Sequence, residues 1–335
     1  MPISSLRLFM RGLLERIRRP VLGRASHQRD PGDPLSRVAS LWADHAAETA
    51  DCPALPGIWT WHPVVRGAMN RRITGREDVQ WLAWAKESFF PQPVEHALSL
   101  GCGGGHVERE AIGLGLCRNI QGVDLSPGAI GLAKQRAAEA GITNIEYRVA
   151  DVNQIELPPN TYDLVIVKQS LHHIDNLEHV LDQIASSLRR PGWFLLNEYV
   201  GPSRFQWTEH QLAIANQLLA LLPERLRRVG GPEGPVRDRV ERPSLAEMMA
   251  QDPSEAARSA EILPLVEARF EVVSRRDFGG TLLNPMLEGI VPNFAPDSEE
   301  EVALLRLLIT IEDLLLANHV LPSDFVVLVT GRQVK

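Results

Sequence analysis

Between residues 95 and 200, short apolar runs alternate with segments whose apolar positions recur at helical spacing. The runs 96–100 (HALSL), 119–124 (NIQGVD), 144–151 (NIEYRVAD), 162–167 (YDLVIV) and 193–199 (WFLLNEY) read as five strands. Between the second and third, Ser126 is placed to cap a helix with Pro127 at its first position, and Gly141 stops it. Leu177, Val180, Leu181, Ile184, Ala185 and Leu188 form one apolar helical face, which Pro191-Gly192 ends. This alternation builds an α/β, parallel, doubly wound sheet; both faces are covered by helices, so its strands are apolar throughout. Two more strand patterns, 270–277 and 324–330, extend the expectation to a Rossmann-like seven-stranded sheet.

The flanking segments follow a helical period. Residues 4–19 set Leu6, Phe9, Met10, Leu13, Leu14 and Ile17 against Arg7, Arg11, Arg16, Arg18 and Arg19, so 1–23 reads as a basic amphipathic helix. Two roles are open to it: peripheral contact with an anionic membrane surface, or packing on the domain or a partner subunit. Residues 24–92 read as a helical N-terminal extension or lid, opening on a linker from Arg24 to Pro34 and carrying Trp42, Trp59, Trp61, Trp81 and Trp84. The core occupies 93–200. A helical insertion over 201–252, with helices at 208–222 and 244–250, is expected to cap an acceptor. The rest of the core, 253–335, contains a second helical insertion at 279–320. Asp252-Pro253-Ser254-Glu255 has the form of a helix N-terminus. The segment 301–317 is apolar nearly all round, which suits the interface of a homodimer.

Composition narrows the function. A formal charge of -7 over 335 residues argues against a nucleic-acid partner. Cys52, Cys102 and Cys117 have no paired or metal-like spacing, which suits a reducing compartment. The most apolar stretch, Val302–Leu316, is broken by Arg306, Glu312 and Asp313, so no bilayer span is expected. The N-terminus lacks the form of a secretory signal, and a cytoplasmic location is the expectation.

The chemistry concentrates where the first strand runs into a helix, at Leu98-Ser99-Leu100-Gly101-Cys102-Gly103-Gly104-Gly105. Glycines there let the backbone turn tightly and approach a ligand. His106 stands where a dinucleotide fingerprint needs its third glycine, which disfavours a nicotinamide-dependent oxidoreductase. The run gives G-x-G-x-G instead, and Asp124 and Asp151 end the second and third strands. A carboxylate can accept hydrogen bonds from two vicinal hydroxyls, and ligands of open α/β sheets sit at the strands' carboxyl ends.

In these features the chain resembles the class I methyltransferases that use S-adenosylmethionine (SAM), their type 11 and type 12 groups in particular. The resemblance implies SAM as cofactor, cradled by Leu100, Gly101, Cys102, Gly103 and Gly105. It implies Asp124, with Leu125, on the ribose hydroxyls, and Asp151, Val152 and Asn153 beside the adenine. Lys168 and Gln169, at the end of the fourth strand, complete the expected cofactor contacts. One departure stands out: the family often has an acidic residue where this chain has Ser99, and Glu108 is a candidate substitute.

Methyl transfer to an oxygen benefits from a base at the carboxyl ends of the fourth and fifth strands. The candidates are His172, His173 and Glu198, each of which also has a purely structural reading: a histidine bonding neighbouring backbone, or a carboxylate capping a loop. The Asn/Asp-Pro-Pro-aromatic motif of amino-methylating relatives is absent. Lys168 and Gln169 stand where a magnesium-dependent catechol-type site would gather carboxylates, so no metal is expected. His62 is a weaker candidate for the acceptor site, and Ser203-Arg204-Phe205-Gln206-Trp207 offers polar and aromatic groups to an acceptor. The partner expected is a small molecule, by preference a saccharide or other secondary metabolite methylated on oxygen. A lipid or polyketide-like acceptor and a non-catalytic SAM-binding interaction module remain as alternatives.

Overall fold

The computed structural model describes residues 57–332, and Ala39 ahead of them. The basic segment 4–19, the linker that follows it and Trp42 lie outside the described residues.

Seven strands form one sheet: β1 (Val94–Leu100), β2 (Cys117–Asp124), β3 (Ile145–Val149), β4 (Tyr162–Lys168), β5 (Leu188–Tyr199), β6 (Phe270–Gly279) and β7 (Phe325–Arg332). Their order is β3-β2-β1-β4-β5-β7-β6. The first five are mutually parallel, and β7 runs antiparallel to both β5 and β6, so the sheet is mixed at that edge. All seven expected strands are present. β5 begins earlier than its apolar run, at Leu188, and includes Pro191 and Gly192, which had been read as the stop of the preceding helix.

The side-chain period of two sorts the strands between two cores. Ala97, Ile120, Leu164, Ile166, Leu195, Val327 and Val329 point to one face. There they meet Trp59 of a short 3-10 turn, α1 (Pro63–Thr74), α2 (Trp81–Phe89) and α3 (His106–Gly113). Leu98, Leu100, Val123, Val165, Val167, Phe194, Leu196, Val326 and Leu328 point to the other, against α5 (Leu177–Ser187) and α8 (Ile262–Glu267). Between β2 and β3 runs α4 (Pro127–Glu139), with Ser126 Oγ accepting from Ala129 N–H as its N-cap.

The two insertions supply α6 (Glu209–Leu221), α7 (Leu245–Gln251), α9 (Leu283–Leu287) and α10 (Glu299–Ala317). Thr208, Ser244 and Ser298 cap α6, α7 and α10 by accepting backbone N–H groups. One face of α10 is buried through Leu305, Leu308, Ile309 and Glu312, whereas Leu307 and Leu314 are exposed. His62 is fully buried, and its Nδ1 accepts from Val64 N–H to cap α1. Among the described residues, no helix is long and apolar enough to cross a membrane.

The expected helix at Asp252-Pro253-Ser254-Glu255 is not formed. Asp252 instead closes α7, donating its N–H to Met248 O, and residues 253–258 make turns. Its carboxylate accepts from Ser254 N–H and Oγ, the same local bonding that would start a helix, but the chain leaves in another direction. Arg204 fixes that direction: its N–H donates to Ala256 O at 2.7 Å and its Nη1 to Glu255 O at 3.0 Å.

Candidate active site

The strand order reverses between β1 and β4, and ligands of open α/β sheets bind at the carboxyl ends of strands flanking such a point. The glycine loop leaves β1 there. Gly101, Gly103 and Gly105 all have positive φ, of 68°, 50° and 76°. Their surroundings differ. A Cβ on Gly101 would lie 2.3 Å from Ser170 Cβ, and one on Gly105 would lie 2.4 Å from the Tyr147 hydroxyl, whereas one on Gly103 would enter open space. The outer two glycines therefore let other elements close in on the loop, and Gly103 has none packed against it.

Asp124 holds the loop and keeps room for a ligand. Gly103 N–H donates to its Oδ2 and Ser126 N–H to its Oδ1, both at 2.8 Å, leaving each oxygen a further lone pair. Burial raises its carboxyl above the ordinary range, and those two donors pull it back. Asp151 caps a 3-10 turn, accepting from Asn153 N–H at 2.9 Å and Gln154 Nε2 at 3.0 Å. Val152 is buried under that turn. Asn153 Oδ1 accepts from the backbone N–H of Asp175 and Asn176, so this side chain ties the loop after β4 to the one after β3. Gln169, at φ 49°, reaches Asn197 Oδ1 with its Nε2 at 3.1 Å. Burial lowers the pKa of Lys168, with Glu110 and Glu108 opposing it. Leu100 ends β1, Cys102 is buried in the loop, and Leu125 follows Asp124 out of the sheet. Glu108 is fully buried beside the loop, and burial raises its carboxyl to about 7, against a lowering interaction with Ser99.

On the other side of Ser170 stands a cluster built from three elements. Ser170 Oγ donates to Leu100 O at 3.0 Å, fastening the loop after β4 to the end of β1. The N–H groups of Ser170 and Leu171 both donate to Glu198 Oε2, and Glu198 Oε1 is bonded to His172 Nδ1. Glu198 is fully buried at the end of β5. His173 packs beside His172 with ring centroids 4.1 Å apart and the rings tilted by 44°, and its Nδ1 lies 3.2 Å from Ser254 Oγ. Glu255 completes the group, 3.6 Å from His172 Nε2 and 3.9 Å from His173 Nε2. Burial disfavours the charged form of His172, yet Glu198, Glu255 and Asp252 outweigh it and hold the imidazole up at about 9. Burial also raises Glu255 to about 7, with His172 drawing it down.

The three side chains singled out after β4 and β5, His172, His173 and Glu198, are thus brought together. Glu255 was missed, because it arrives from the turn misread as a helix start. A cap residue next to Ser254 and Asp252 carries no local mark of chemistry. From the 203–207 stretch, Phe205 and Trp207 pack in series with Tyr199 of β5, the Tyr199–Phe205 and Phe205–Trp207 ring centroids being 5.0 and 5.8 Å apart. Tyr199 and Trp207 are buried there, and Phe205 keeps part of its surface open.

Comparison with known proteins agrees with this geometry. Residues 98–196 match the family model described as a methyltransferase domain. Over 99 residues the chain is 32% identical to a ubiquinone biosynthesis O-methyltransferase of Burkholderia ambifaria, covering 30% of this chain and 42% of the relative. The chain therefore spans less than half the length of that relative. A geranyl diphosphate C-methyltransferase from Streptomyces coelicolor shares the fold, with a TM-score of 0.53 at 14% identity over 91% of this chain and 100% of that one. So does the [4+2]-cyclase SpnF, with a TM-score of 0.50 at 16% identity over 91% of this chain and 99% of that one. Residues 98–196 are thus similar to a methyltransferase domain, and they lie on a seven-stranded sheet whose fold SAM-dependent methyltransferases share.

Proposed function

We propose that the protein transfers the methyl group of SAM to an oxygen of a small-molecule acceptor, a saccharide or other secondary metabolite. The observation that carries this reading is the fastening of the His172–Glu198 pair to the cofactor loop through Ser170. That link sets an activating pair at a fixed offset from the place where SAM would lie.

The residues present fit SAM. Gly103 leaves open the space a side chain would fill, and Asp124 keeps lone pairs for two ribose hydroxyls. Asp151 and Val152 border the neighbouring strand end, where the adenine would rest. The bound cofactor supplies an electrophilic methyl on a sulfonium. The chain aligns the acceptor with it, and proximity of this kind contributes up to roughly 7–11 kcal/mol in ideal cases.

An oxygen nucleophile also has to lose its proton, and the His172–Glu198 pair can take it once the imidazole, held up at about 9, is itself neutral. Glu198 fixes the imidazole through Nδ1, so the other ring nitrogen is presented to the acceptor. The O-methyltransferase name of the curated relatives supports oxygen as the methylated atom. Phe205 and the polar groups of Arg204 and Gln206 supply an acceptor surface beside Glu255.

Calorimetric titration of SAM and S-adenosylhomocysteine into wild type and Asp124→Ala tests the cofactor half. Binding in the micromolar range that is lost in the variant is expected; no binding to wild type would refute the reading. For the acceptor half, His172→Ala should cut turnover on a screened acceptor by about 10²–10⁴-fold with SAM affinity unchanged.

A further inference from the structure

We infer that His172, His173 and Glu255 form a binding site for a divalent transition-metal ion on the acceptor side of the cleft. One donor atom from each lies within 4.8 Å of the other two. The two Nε2 atoms approach opposite oxygens of Glu255, at 3.6 and 3.9 Å. Those separations are too long for hydrogen bonds. They are close to the edge of a coordination shell: ligands held about 2.0–2.2 Å from one ion stand about 3.0–3.5 Å apart. A closing movement of these side chains would bring all three onto a common centre.

The second ring nitrogens make the stronger case. A carboxylate only accepts hydrogen bonds, so Glu198 places the proton of a neutral His172 on Nδ1 and the lone pair on Nε2. The same logic holds at His173 through one more atom. Ser254 Oγ gives its single hydrogen to Asp252 Oδ1 at 2.5 Å, so towards His173 Nδ1 it can only accept. Both imidazoles are therefore turned with their metal-binding nitrogen towards Glu255, by outer partners of the kind that orient histidine ligands in metal sites. Two imidazoles and a carboxylate suit zinc, cobalt, manganese or iron(II) better than magnesium or calcium.

Three protein ligands leave coordination positions for a small molecule. The role of the ion rests on the methyl-transfer reading and changes one part of it: with an ion on its Nε2, His172 would hold the cation and not take the proton, and an acceptor oxygen bound at an open position would be acidified by the cation and lose its proton to solvent. The sequence-based expectation of no metal rested on Lys168 and Gln169, which are not among these ligands. The third ligand comes from the 252–258 turn.

The test is titration of Co²⁺ into untagged, metal-free full-length protein, followed by its visible absorption bands and by equilibrium dialysis, with Zn²⁺ as competitor. Wild type should bind one ion per chain and show the bands. His173→Ala and Glu255→Gln should each weaken binding at least tenfold, and Ser254→Ala by a smaller factor. The exposed His319→Ala should bind as wild type does. No binding by wild type, or equal binding by His173→Ala and Glu255→Gln, overturns the inference. SAM titration of the same samples separates the two proposals: SAM bound without Co²⁺ refutes only the metal site, and Co²⁺ bound without SAM refutes only methyl transfer.

Discussion

At the scale of single residues, the three positive-φ glycines of the loop separate into two kinds, and substitution should tell them apart. In Gly101→Ala the new Cβ would meet Ser170 Cβ at 2.3 Å. Ser170 cannot retreat, since its N–H is bonded to Glu198 and its Oγ to Leu100 O. Overpacking and a left-handed alanine together should cost about 2–5 kcal/mol of stability. Gly103→Ala meets no atom within 4 Å, so only the left-handed backbone is penalised, by about 1–2 kcal/mol. On the proposed cofactor site its Cβ would enter space left for SAM, and SAM affinity should fall more than stability does. Urea unfolding beside calorimetry checks both; equal stability losses would show that the two glycines do the same work. The glycine spacing and Asp124 were legible in the sequence because a turn and the acid closing it are local events. Glu255 was not, because it meets His172 only through the return of a distant turn.

Among elements, α1 and α10 are joined by a charge cluster that no local pattern announces. Arg72 Nη1 donates to Glu312 Oε2 at 2.5 Å and its Nε to Asp313 Oδ1 at 2.7 Å. Glu312 is fully buried, and its Oε1 accepts from the N–H groups of Leu282 and Leu283 at the start of α9. Removing the guanidinium leaves that carboxylate buried without its cation, so Arg72→Ala should destabilise by about 3–5 kcal/mol in chemical unfolding. Adding Glu312→Gln to it should recover part of the loss, since the amide oxygen still accepts from α9. If the double variant is no better than the single one, the cluster acts by packing and not by charge. The strand set was legible because apolar runs on a twice-covered sheet are fixed by local composition. The helix start expected at Asp252 failed because cap chemistry is common to turns and helices, and Arg204, fifty residues away in the chain, selects the turn.

For the whole molecule, buried acids set the way stability changes with pH. Glu108, Glu288 and Asp324 lie on different elements, and burial raises each to about 7 from ordinary values of 4.5, 4.5 and 3.8. Each holds its proton more tightly folded than unfolded. Between about pH 4 and 7 the folded chain therefore binds more protons, and stability falls as pH rises. The contribution is complete below the unfolded values and lost as pH passes through about 7, on the order of 3 kcal/mol for each group if fully realised. Glu178 and Glu261 act in the opposite sense: hydrogen bonds from Arg258 lower both, so the stability they add is lost as pH drops below the usual carboxylate range. Both are largely exposed and screened by solvent, so they bound the acid side only weakly. Stability should thus peak on the acid side of neutrality, near about pH 5. Asp324 is the group to test, because it lies apart from the cluster around His172 and accepts from Gln211 Nε2 at 3.1 Å, a bond an asparagine oxygen can keep. Asp324→Asn should reduce the fall in unfolding free energy between pH 5 and pH 8, measured by urea titration at several pH values. An unchanged slope would mean that this carboxyl is ionised in the folded protein and that its burial is compensated by a partner other than a proton.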